Sequence, residues 1–147
     1  MQVSTIKADC LTCGFWHYRP WLGDFSYGEG IAQGSFVTGT GETFAYLNVL
    51  NNSGWDRLRV LAEGLETDES FFQWLVDQCL DPISGVSLGS GVRCPECDST
   101  DIKLHEGMPT GRVEIPEATF TGFLSLDPHE QQTRVVELHS VWGDEYQ

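Results

Sequence analysis

The chain alternates between short apolar stretches with a two-residue period and longer ones with a helical period. Val3 to Asp9 reads as a strand, and Phe15-Trp16-His17-Tyr18 as a second extended stretch, followed by an irregular segment around Pro20, Gly23, Gly28 and Gly30. Two β-prone runs, Gln33 to Val37 and Thr43 to Leu50, flank Gly39-Thr40-Gly41 and predict a hairpin. The period then changes. Trp55, Leu58, Leu61, Ala62 and Leu65 predict a helix over about 54–64, with Ser53 and Asp56 as a capping box. Thr67 can cap a second helix over 68–80, with Asp68 and Glu69 in its first turn and Pro82 just past its end. Ile83 to Gly91 is a Ser- and Gly-rich loop, and Ile102 to His105 a strand. Arg112 to Ile115 and Ala118 to Leu126 look β-like, with a break at Pro116. Asp127-Pro128-His129-Glu130 has the order of a helix start. Val135, Val136, Leu138, Val141 and Trp142 fit either period, and the expectation is a short helical turn followed by a strand.

Candidate chemistry concentrates in the cysteines. Cys10 with Cys13 and Cys94 with Cys97 form two C-x-x-C pairs 80 residues apart. Each short reversal aims two sulfurs at one point, so two pairs can present four thiolates tetrahedrally to Zn²⁺. Gly14 follows the first pair, where a positive φ is needed; Asp98 holds the matching position in the second, and Pro95 stiffens that turn. Iron would use the same four thiolates. Disulfides and a thioredoxin-like redox pair are the other chemistries of such spacing, the first disfavoured by the odd fifth cysteine and the absence of a visible signal peptide. Cys79 differs: Phe72, Leu75, Val76 and Cys79 share one helix face, which marks a packed core thiol.

Cys-Leu-Thr-Cys-Gly-Phe-Trp-His-Tyr (10–18) and Cys-Pro-Glu-Cys-Asp-Ser (94–99) resemble the two knuckles of rubredoxin-like and zinc-ribbon proteins. The resemblance covers only these stretches and implies Cys10, Cys13, Cys94 and Cys97 as metal ligands. The expected fold is α+β within a single domain, 1–147. Paired knuckles at 8–18 and 92–99 flank an insertion of about 19–91 that carries a β-hairpin and a helical hairpin, and a β-rich part follows from about 100 to 147. Proteins with this architecture include electron carriers, nucleic-acid binders, protein adaptors and structural staples, so the resemblance implies no single function.

Composition narrows the partners. At 40% hydrophobic and 20% charged residues the chain can bury a core, and its net charge of −14 is the wrong sign for phosphate-driven affinity to nucleic acid. Residues 1–50 carry two basic and four acidic side chains, 51–100 three and nine, and 101–147 three and nine, so acidity belongs to the middle and end. No apolar run approaches the roughly 20 residues of a membrane span, and the expected location is cytoplasmic. His17, His105, His129 and His139 are scattered without metal-hydrolase spacing; His17 reads as hydrogen-bonded or solvent-facing. Gly85-Val86-Ser87-Leu88-Gly89 matches the letters of a nucleophile elbow but lacks the strand before and the helix after. The expected function is therefore non-enzymatic: a zinc-stapled acidic protein that binds a basic protein, for example as an inhibitor or immunity protein. Glu66, Asp68, Glu69, Trp16 and Trp21 are the candidate partner-binding residues. A rubredoxin-like electron carrier with iron is the alternative.

Overall fold

The computed structural model describes residues 1–23, 28–34, 42–66 and 68–146. Its contacts divide into two compact units, Met1–Asn48 with Pro82–Ala118, and Val49–Asp81 with Thr119–Gln147. The architecture is α+β, with two antiparallel sheets and four helices among the described residues. The segment 19–91 does not stay together: its strands belong to the first unit and its helices to the second.

In the first unit, β1 (Gln2–Cys10) is the middle of one sheet. β2 (Trp16–Trp21) pairs along one edge of β1, from Ser4 opposite Trp21 to Asp9 opposite Trp16. Ile6, Ala8 and Cys10 alternate on a buried face, which carries the first knuckle cysteine into the interior. β2 runs through Pro20, where the sequence suggested irregular chain. It has one neighbour within the sheet, and proline is tolerated on such an edge.

β3 (Glu29–Gly34), β4 (Phe44–Asn48) and the two-residue β5 (Leu88–Gly89) form the other sheet, in the order β4-β3-β5. The hairpin is thus present but its first strand starts earlier than Gln33; Val37 and the turn Gly39-Thr40-Gly41 lie outside the described residues. The other edge of β1 is shared by β6 (Ile102–Leu104), opposite its end, and β7 (Gly111–Glu114), opposite its start. Val3, Tyr46 and Ile115 form a buried cluster against which Leu22, Ile31, Phe44 and Val113 pack.

The second unit is helical. α1 (Ser53–Ala62) is capped by Asn52, whose side chain accepts from the Trp55 amide at 3.0 Å, one residue before the expected Ser53. α2 (Glu69–Cys79) is capped by Asp68, which accepts from Phe71 at 2.9 Å; Thr67 lies outside the described residues.

The stretch Ala118–Leu126 is not a strand. The Asp81 carboxylate accepts from the amides of Thr121 and Gly122, at 2.6 and 2.9 Å, and fixes a helical turn, α3 (Thr121–Leu124). The end of the chain is likewise no strand but one 19-residue helix, α4 (Pro128–Tyr146). Its capping box is reciprocal, with Glu130 N–H donating to Asp127 Oδ1 at 2.8 Å and Asp127 N–H to Glu130 Oε1 at 3.1 Å. Gln131, Val135 and Leu138 are buried at helical spacing, and this packing overrides the β preference of the valines. The expected β-rich C-terminal part is therefore β only as far as β7.

Two outcomes test this unit. A helical glycine replaced by alanine ordinarily gains up to about 1 kcal/mol, but a Cβ at Gly54 would stand 2.5 Å from three atoms of Phe120. Gly54→Ala should lower stability by roughly 1–3 kcal/mol, read from chemical denaturation; a gain contradicts the packing. At Asp81, burial raises the carboxyl pKa, but hydrogen bonds from Thr119, Gly122 and Thr121 outweigh it and hold the group below its ordinary value. Its stabilisation is complete above the unfolded pKa near 3.9 and is lost as pH falls through the lower folded value. Asp81→Asn should remove that part of the acid-limb loss, seen in melts at stepped pH.

Candidate metal centre

The four cysteines predicted as ligands converge. Cys10, Cys13, Cys94 and Cys97 bring their sulfurs within 4.8 Å of one another, with Cys10 Sγ 3.5 Å from Cys97 Sγ and Cys13 Sγ 3.6 Å from Cys94 Sγ. Sulfurs set tetrahedrally at about 2.3 Å from one zinc ion stand about 3.8 Å apart, so the cluster has close to the dimensions such an ion requires. All five cysteines are free thiols, and a disulfide would need sulfurs about 2.0 Å apart.

The local geometry follows from the sequence of each knuckle. In both, the first cysteine's carbonyl accepts from the amide four residues on, Gly14 at 3.0 Å and Asp98 at 2.9 Å. The first cysteine's amide donates five residues ahead, to Phe15 at 2.8 Å in one and Ser99 at 2.9 Å in the other. These loops need a left-handed residue after the second cysteine: Gly14 has φ 80° and Asp98 φ 62°. Amides turn inward, with Cys13 N–H 3.4 Å from Cys10 Sγ and Glu96 N–H 3.4 Å from Cys94 Sγ. Cys10 and Cys94 are buried, whereas Cys13 and Cys97 are exposed.

Electrostatics suit the cluster to a cation. The Cys13 amide holds the Cys10 thiol down to about 6. Burial pushes Cys94 up. Cys97 has a helpful backbone donor at Ser99, yet burial and the adjoining Cys10, Cys13 and Cys94 thiols push it up to about 12. One thiolate forms readily and the next resist, because like charges crowd within a few ångströms. A cation set among the sulfurs would offset that crowding.

Supporting contacts outside the ligands were not legible in the sequence. Gln33, 1% exposed, donates to the Arg93 carbonyl at 2.9 Å and accepts from the Arg93 amide at 3.1 Å, pinning the entry to the second knuckle. Thr12 Oγ1 and Ser99 Oγ meet at 2.8 Å, and Arg93 pairs with Asp98 at 3.4 Å. His105 Nε2 lies 2.5 Å from Asp9 Oδ2, and Asp9 immediately precedes Cys10. Except for Arg93 with Asp98, these pairs join residues 60 or more apart in the chain and leave no local signal.

The remaining candidates fall elsewhere. His17 is outside the cluster and is neither hydrogen-bonded nor solvent-facing: it is half-buried, stacked on Phe15 at 5.9 Å, and both ring nitrogens are enclosed without a hydrogen-bond partner. Ser87 is exposed in the turn before β5, with no helix following it. Cys79 is buried in α2, and burial pushes its thiol up to about 11. Trp16 is 51% exposed under Lys7, whose ammonium stands 5.0 Å from its ring, while Trp21 is half-buried at the other end of β2. Glu66, Asp68 and Glu69 lie in the other unit around the start of α2, where Asp68 is the cap and Glu69 pairs with Arg59 at 2.8 Å.

Comparison of the chain with protein-family models, curated proteins and solved structures finds no match. No helix among the described residues is long and apolar enough to cross a membrane.

Cys79 tests the pairing. Cys79→Ala should leave metal content unchanged and cost about 1 kcal/mol or somewhat more through a small cavity. Elemental analysis beside a denaturant titration reads both, and loss of metal in this variant would make Cys79 a ligand.

Proposed function

We propose that the chain is a non-enzymatic, zinc-stapled protein that works by binding a basic protein, with an inhibitor or immunity protein as its concrete form. The zinc half rests on the convergence of four sulfurs within 4.8 Å from two turns of matching hydrogen-bond pattern. This is a closed four-thiolate set, and closed sets serve structure: metal affinity becomes folding free energy, of the order of 10 kcal/mol at neutral pH.

The partner half is supported by the distribution of charge. The helical unit carries twelve carboxylates against Arg57, Arg59 and Arg134, a net of −9, and the unit with the cysteines carries ten against five, a net of −5. Such a field steers basic partners and repels nucleic acid. Trp16 and Tyr18, 51% and 55% exposed and edge-to-face at 5.5 Å, offer aromatic anchors on β2 beside the first knuckle.

Cys94→Ser should lose both the metal and the cooperative melting of its unit; a metal-free protein with an unchanged melting curve would end the zinc reading. Immobilised protein should retain a defined basic protein at low salt and release it as the screening length falls from about 10 Å at 0.1 M to about 3 Å at 1 M. Asp68 and Glu69 have structural partners, so Glu66→Lys is the clean charge probe, and Trp16→Ala tests the aromatic anchor; each should slow that association. Retention of nucleic acid, or of nothing at any ionic strength, counts against the partner.

Exposure of Cys13 and Cys97 favours one second reading, an electron carrier with iron on the same thiolates. A colourless protein with one zinc per chain decides for the first.

A further inference from the structure

Arg19 on β2 is 2% exposed and is absent from the ion pairs formed among the described residues. Its Nη1 donates to Gln33 Oε1 at a long 3.4 Å, its Nε has no acceptor, and the Phe44 ring lies 5.4 Å from the guanidinium carbon. Burial draws its pKa down to about 10, so the group keeps its charge at neutral pH. Among the described residues this buried guanidinium meets only neutral groups, an arrangement that is costly and calls for an anion.

The same side chain lines a cavity of about 270 Å³ whose apolar walls include Trp21, Leu22, Ile31 and Val92. Gly30 of β3 lines it as well. Glu29 also lines it, its carboxylate anchored by the Tyr46 hydroxyl at 2.5 Å.

We propose that this cavity binds a small apolar monocarboxylic acid, with the Arg19 guanidinium holding the carboxylate and the apolar walls holding the alkyl group. Arginine presents a planar fork that matches a carboxylate. The site is separate from the cysteine cluster and does not depend on the function proposed above.

The test uses full-length, metal-loaded protein, with isovalerate as probe and its amide as the neutral control. Isovalerate should shift the Arg19 Nε–H resonance saturably and raise the melting temperature, and the amide should do neither. Arg19→Lys should weaken binding about tenfold or more. Val92→Trp enlarges a wall side chain of the cavity and should weaken binding, with metal content read beside it, so the test survives if Arg19→Lys does not fold. An equal response to acid and amide, no saturable shift, or full binding by Val92→Trp would overturn the proposal.

Discussion

Four sulfur atoms within 4.8 Å, drawn from turns 80 residues apart, are the constraint on which the cysteine-bearing unit depends. The first knuckle ends β1 and the second leads into β6. Closing the cluster therefore sets Cys10 opposite Ile102 and Ala8 opposite Leu104, and the Leu11 amide donates to the Asp101 carbonyl at 2.9 Å. A one-residue slip would move the buried Ile6, Ala8 and Cys10 to the wrong face. A metal that closes so long a loop offsets its closure entropy, which grows only slowly with length. The buried Gln33 completes the clamp, because it satisfies both backbone groups of Arg93 next to the second ligand pair.

Much of this was legible in the residues because its causes are local. The knuckles announce themselves through C-x-x-C and the left-handed position after it, and the structure places Gly14 and Asp98 there with positive φ. The Phe72, Leu75, Val76 and Cys79 face is the buried face of α2. The errors have a common origin in contacts between distant residues. The β-prone run from Ala118 coils into α3 because Asp81, 40 residues before Thr121, binds its first amides. The valines of α4 stay helical because Val135 and Leu138 find a buried face. Nothing local in the sequence marks the side chains of Arg19 and Gln33, and only the fold reveals that both are buried.

Charge and stability are divided unevenly along the chain. The helical unit carries the larger acidity yet has no cluster of candidate metal ligands among its described residues. It is held by apolar packing and by caps from Asn52, Asp68, Asp81 and the Asp127–Glu130 pair. The unit with the cysteines is built from two small sheets, and its buried side chains include four alanines and two of the clustered cysteines, so its apolar core is made of smaller groups.

X-ray absorption at the zinc edge of the purified protein tests the central claim most directly. One zinc per chain surrounded by four sulfurs at about 2.3 Å is the expected spectrum. A shell containing nitrogen or oxygen, or a chain that folds without any metal, would contradict the four-thiolate staple.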